Sequence, residues 1–174
     1  MAKLGKPTRQ EATPEEFKAM AHPLRLRIIR LCLHDALTNK EIADHLGKDP
    51  ATTLHHVRML VRTGFLAAEP VRTGDRGALE KPYRSTGKSW ILSVSRPEDQ
   101  AVSLLASIDA VRAEVAELET DGSLAGARLG LKLSPDRAAE LAERIEELVQ
   151  DLANAPDDPT GDRYGLFVNL HKLR

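Results

Sequence analysis

Three helix starts lie within the first fifty residues, each marked by side chains that satisfy free backbone N–H groups. Thr13-Pro14-Glu15-Glu16 joins an N-cap hydroxyl to proline at the first helical position and glutamate at the third. Thr38-Asn39-Lys40-Glu41 has the spacing of a capping box, and Asp49-Pro50 is a cap followed by proline. Each precedes a short apolar stripe: Phe17 and Met20, then Ile42, Ala43 and Leu46, then Val57, Leu60 and Val61. A further stripe, Leu24, Ile28, Leu31 and Cys32, follows the break at His22-Pro23. Gly47 and Gly64 close the last two helices. Helices this short, with such brief connections, must fold back on one another around one core.

From Phe65 the period changes. FLAAEPV and KPYRST read as two strands around Arg72-Thr73-Gly74-Asp75-Arg76-Gly77, a hairpin turn with two arginines. Three helices followed by a basic hairpin is the order of a winged helix-turn-helix. The expected class is α+β, mainly α, with a winged helix-turn-helix domain over 14–93 and a second region over 94–174.

In that second region, Ser95-Arg96-Pro97-Glu98 again has capping-box spacing. Ala101, Leu104, Ile108, Val111, Val115 and Leu118 then alternate steps of three and four, the seam of a long helix lying along a partner helix. A helix resting on its own domain would show the same stripe. RLGLKL at 128–133 alternates like a strand, and Ser134-Pro135 starts a helix with Leu141, Ile145, Leu148 and Leu152 on one face. YGLFVNLHKL reads as a closing strand. The expectation is a dimerisation helix plus a strand–helix–strand appendage.

Charge divides along the same line. Residues 1–96 hold 17 Lys/Arg against 10 Asp/Glu, and residues 97–174 hold 8 against 16, which together give the net −1. A basic half facing a polyanion fits this split, as do two solvated surfaces of unlike composition. MAKLGKPTRQ has no apolar signal core, no run approaches a membrane span, and Cys32 is the lone cysteine. The expected setting is cytoplasmic, without membrane contact.

TNKEIADHLG, a short turn, and PATTLHHVRMLVRTG leading into Gly-Phe-Leu resemble the bacterial ArsR-type winged-helix transcriptional regulators. AHPLRLRIIRLCL resembles that family's preceding Pro-Leu-Arg-hydrophobic run, and the likeness covers roughly residues 14–90. It implies double-stranded DNA as partner and a homodimer. The residue chemistry points the same way. A recognition helix needs one dry face and one short-polar or basic face for the major groove. Val57 and Leu60 suit the first; Thr52, Thr53, His55, Arg58 and Arg62 suit the second, with Ala51 and Leu54 able to touch a thymine methyl. His56 falls either toward the interior or toward a phosphate. Thr38 and Lys40 stand at a helix N-terminus that suits phosphate, and Arg72, Arg76, Lys81 and Arg84 on the hairpin suit a flanking backbone or minor groove.

Rival chemistries fit less well. Adjacent histidines on a helix point about 100° apart, so His55 and His56 do not share an ion. TNKEIADHLG, which aligns with the family's cysteine-bearing sensor segment, contains no cysteine. The long helix offers Glu98, Asp99, Asp109 and Glu114 but neither His nor Cys. No metal or cofactor is expected. Gly87-Lys88-Ser89 imitates the end of a P-loop, but Pro82 stands where its earlier glycine is required. The six histidines are scattered without a nucleophile motif, so no enzyme is expected. With 3% aromatic residues there is no stacking platform for single strands. The competing function is a winged-helix protein–protein assembly module that binds no DNA. Residues 121–174 have three readings: they bind a small-molecule effector, contact another protein, or only clamp a dimer.

Overall fold

Thr13 and Thr38 each close a complete capping box with the glutamate three residues on. Asp49 accepts two N–H groups through Oδ1, from Ala51 at 2.9 Å and Thr52 at 3.0 Å. The computed structural model in which these caps are seen describes residues 9–74, 77–118, 126–156, 158 and 160–173. The elements are β1 (Gln10–Glu11), α1 (Pro14–Met20), α2 (Pro23–Leu31), β2 (Leu37–Thr38), α3 (Asn39–Leu46) and α4 (Pro50–Arg62). They continue with β3 (Leu66–Ala68), β4 (Arg72–Thr73), β5 (Leu79–Glu80), β6 (Pro82–Ser85), β7 (Leu92–Ser93), α5 (Pro97–Ala116) and α6 (Pro135–Ala153).

The expected helices and hairpin are all present, and the molecule is a mainly helical winged helix-turn-helix. Ile28, Cys32, Ile42, Val57, Leu60, Phe65 and Leu66 form its dry centre. Gly47 ends α3 at φ +58°, a left-handed turn that glycine adopts without a Cβ clash. The wing is an antiparallel sheet in the order β2-β6-β3, with Leu37 opposite Tyr83 and Leu66 opposite Ser85. At its tip β4 pairs β5. Five strands of two residues are not foreshadowed by the sequence: β2, the third strand of the wing, β4 and β5 at its tip, and the parallel pair β1 and β7. Two residues have no period to read.

The chain forms two compact units, 1–118 and 119–174. Helix α5 belongs to the first, where it packs on α1 and α2. Its buried residues are Ala106 and Ala110, whose small side chains let the helices approach closely. At its far end Arg30 pairs with Glu114 at 2.9 Å, and Arg27, itself buried, pairs with Glu117. These alanines lie about half a turn round the helix from the expected seam. Ile108, Val115 and Leu118 on that seam are exposed, and Leu104 and Val111 half-buried. So α5 does not rest on its own domain through its apolar stripe. Its start also departs from expectation: the N-cap is Arg96 without a side-chain cap. Ser95 instead donates its N–H to Glu11 Oε1 at 3.0 Å, fastening β1 beside β7.

In the second unit, α6 begins at the expected Ser134 cap. The flanking segments depart from the strand–helix–strand expectation, since neither 128–133 nor 164–173 forms a strand. The first alternates and the second is apolar and β-prone, but no neighbouring strand pairs with them among the described residues.

Candidate nucleic-acid interface

The second helix of the helix-turn-helix, α4, is held by its inner face, where Thr53, Val57 and Leu60 are completely buried. Asn39 Nδ2 donates to Pro50 O at 2.9 Å and fixes the start of α4 against the start of α3. The opposite face carries Ala51, Thr52, His55, Arg58 and Arg62, all exposed. The steps 51, 55, 58 and 62 keep them in one row. Across from this row, Lys81 and Tyr83 of the wing close a groove of about 430 Å³ lined also by Leu54, Arg58, Val61 and Arg62. Among the described residues, three cations and no acid line that groove. Arg58, Arg62 and Lys81 form no ion pair with another described residue. Lys40 is exposed on the first turn of α3.

Several expected contact residues are engaged elsewhere. Thr53 is a correction: it lies on the dry face with Val57 and donates its hydroxyl to Asp49 O at 3.0 Å. A single step of 100° separates it from Thr52, which composition alone does not resolve. Thr38 is buried, and its hydroxyl accepts from Glu41 N at 3.2 Å, so it builds the helix start rather than facing outward. His56 turns inward. Its ring stands 4.8 Å from that of His22, and Arg25 Nη1 donates to its Nδ1 at 3.5 Å. Desolvation, then the charges of His22 and Arg25, push its pKa down to about 4, so the ring is neutral. It offers DNA no charge.

On the wing, Arg72 binds Glu41 at 2.6 Å and Glu80 at 3.2 Å, and these carboxylates raise its pKa, Glu80 first. Burial pushes the pKa of Glu41 up, but the hydrogen bonds from Thr38 and the Arg72 charge outweigh it and hold the group low. Arg84 donates to Glu69 at 3.1 Å and to His34 O at 2.9 Å. Arg76 lies outside the described residues. The expected cations that remain exposed and without an ion pair to a described residue are therefore Arg58, Arg62, Lys81 and Lys40, with Thr52 and His55 exposed on α4.

Other candidate chemistry closes. Lys88 of the P-loop look-alike is turned inward, where it donates to Thr63 O at 2.7 Å and pairs with Glu16 at 2.5 Å. Cys32 is fully buried, and burial pushes its thiol up to about 12, which keeps it an unreactive core residue.

Residues 20–68, from the last residue of α1 to the end of β3, match a family model described as a helix-turn-helix domain. No curated protein sequence matches the chain. Among solved structures, the chain is similar to a mutant of S. aureus MepR bound to an oligodeoxyribonucleotide. Identity is 14% over 77% of this chain and 78% of that one, with a TM-score of 0.33. The transcriptional regulator SlyA is 15% identical over 74% and 72%, at 0.31. A second MepR mutant, from a multidrug-resistant S. aureus clinical isolate, is 14% identical over 78% of each, at 0.34. At such distance these three say nothing about what this chain binds. Helix order, wing and the 20–68 match make the part of the chain before Leu118 a winged helix-turn-helix domain.

Proposed function

We propose that this chain is a sequence-specific, DNA-binding transcriptional regulator of the ArsR type, acting in the cytoplasm as a homodimer on a pseudo-palindromic operator. One observation carries the reading: the outward row of α4 is exposed, cationic and without an ion pair to any described residue, while its inward row is dry. An α-helix fits the major groove of B-DNA, and this face offers a hydroxyl, an imidazole and two guanidinium forks to base edges and phosphates. Lys81 across the groove and Lys40 at the start of α3 suit the flanking backbone.

The dimer is supported by α5. Its stripe of Leu104, Ile108, Val111, Val115 and Leu118 points away from the helices it packs on. A two-fold contact along that stripe sets two recognition helices to meet successive major grooves, ~34 Å apart. Among the described residues no helix is long and apolar enough to cross a membrane, consistent with a partner in the same compartment.

Sequencing the fragments retained from a random duplex pool tests DNA binding, symmetry and half-site spacing together. A palindromic consensus with half-sites one helical turn apart is expected. Retention with no consensus overturns sequence specificity. Failure to bind any duplex across a salt series from 50 to 200 mM, a range over which phosphate contacts lose affinity steeply, would leave the assembly-module reading.

A further inference from the structure

We propose that residues 128–133 and 164–173 are the strands of an intermolecular sheet, in which the C-terminal segment of a second copy fills the trough between them. The inference stands on the second unit alone and shares only the homodimer with the reading above.

Both segments carry strand chemistry and lack a strand's partner. Leu129, Leu131 and Leu133 alternate with Arg128, Gly130 and Lys132, and the second segment joins the β-prone apolar run Leu166-Phe167-Val168 to Asn169 and Leu170. No backbone hydrogen bond joins either segment to another described residue. The first segment and the end of the second, residues 169–173, line an open trough of about 1020 Å³, with Pro135 and Ala138 of α6 also lining it. A β-prone segment whose backbone donors and acceptors have no backbone partner is a template for another strand.

Burial says the same. No described residue between 126 and 173 is buried, so this unit has no core of its own. Eleven large apolar side chains among the described residues from Leu129 to Leu173 are 40–78% exposed. Covering them removes on the order of 1,000 Å² per copy, against the ~800 Å² per partner of a standard stable interface. A unit this small, with so much apolar surface in water, is stable only when something covers it.

The geometry points to a second copy as that cover. If the partner's 164–173 segment enters one trough, two-fold symmetry puts this chain's own 164–173 segment into the partner's trough. The four strands then run 128–133, partner's 164–173, 164–173, partner's 128–133. The central pair is the same sequence against itself, necessarily antiparallel about the two-fold axis. Only the short 128–133 segments remain as edges, and each carries two cations, Arg128 and Lys132, which guard an edge. Every segment finds a partner and the assembly closes at two copies.

Hydrogen exchange on the full-length wild-type protein tests this. Amides of 166–171 should exchange on the order of a hundredfold more slowly at a concentration where the chain is dimeric than after dilution to monomer. Protection that is equal at both concentrations means the segments pair within their own chain and overturns the proposal; no protection at either does so too. Single cysteines placed in turn at 166–170 provide the second measurement, with Cys32 buried and inert. Oxidation should give covalent dimer with one sharp maximum, at the residue nearest the axis. A flat profile, or none, overturns the antiparallel self-pairing. Duplex binding of the same samples is read separately, so loss of the sheet and loss of DNA recognition are distinguishable.

Discussion

The guanidinium of Arg25 donates from Nη1 to Nδ1 of His56 at 3.5 Å, so α4 is braced by α2. The same side chain donates through Nε to Ala19 O at 2.7 Å and through Nη2 to Lys18 O at 2.5 Å. One arginine thus serves the end of α1, the start of α2 and the middle of α4. It requires His56 to be neutral, because a protonated ring would turn a donor toward a cation and add a charge beside it.

Stability is therefore expected to depend on pH in a window set by the histidines. His56 has an ordinary pKa near 6.5 when unfolded and about 4 when folded. His22 is shifted the same way, by desolvation first and Arg25 second. Between these values the unfolded chain binds protons that the folded chain refuses. The stabilisation is complete above pH 6.5 and is lost as pH falls from 6.5 toward 4. Thermal midpoints measured between pH 7.5 and 5 should decline, and His56→Gln should flatten that decline. An equally steep decline in the variant would show that His56 is not its source.

Arg58 and Arg62 separate two kinds of contact. Arg58 stands mid-helix on the exposed row, where a guanidinium can fork to guanine. Arg58→Ala should cost about 1–3 kcal/mol on the best site and relax preference at one base position. Arg62, one turn on at the helix end, suits a phosphate. Arg62→Ala should weaken all duplexes alike and lower the slope of log K against log salt by about one unit. Unchanged binding in a variant carrying both Arg58→Ala and Thr52→Ala would remove α4 from the interface.

Glu41 holds two positions at once, closing the capping box of α3 and holding Arg72 of the wing. Glutamine also serves in a capping box, so Glu41→Gln should alter stability by less than about 1 kcal/mol. It removes a negative charge beside a face meant for phosphate and releases Arg72 from one of its two acids. Duplex affinity at low salt should rise roughly three- to tenfold, and the gain should shrink as salt screens it. A fall in affinity would mean that Arg72 contacts DNA only while Glu41 orients it.

Where one side chain and its spacing decide structure, the sequence was readable. The caps at Thr13, Thr38, Asp49 and Ser134 form as written because a cap depends on four neighbouring residues. Helical phase was harder. Thr53 and His56 are polar, yet each lies one step round from an outward residue, and burial of Val57 and Leu60 fixes the phase for the whole helix. On α5 the apolar seam was legible, but the alanines that take the domain contact were not, since small residues leave no hydrophobic signature. The Ser95 cap failed because Glu11, eighty-four residues earlier, recruits that serine. The segments at 128–133 and 164–173 have strand chemistry without strand pairing, and no single-chain pattern says where a partner strand comes from.

Lys88 and Gly64 give a final, separable test of what joins the recognition helix to the wing. Lys88 Nζ reaches the carbonyl of Thr63, the carboxylate of Glu16 and, at 5.6 Å, the face of the Phe65 ring. Its hydrogen bond, ahead of that from the Thr13 N–H, holds Glu16 below the usual carboxylate range. Lys88→Met keeps the stem's packing but leaves a shielded carboxylate and a helix-end carbonyl without their donor, at a cost of about 1–3 kcal/mol in urea unfolding. Gly64 turns the chain at φ +78°, and a Cβ there would stand 3.3 Å from Lys88 Nζ. Gly64→Ala should cost about 1–2 kcal/mol, chiefly from backbone conformation. If so, most of that cost persists in the Lys88→Met background. If it disappears there, crowding against the lysine, rather than the left-handed turn, is what makes glycine necessary at 64.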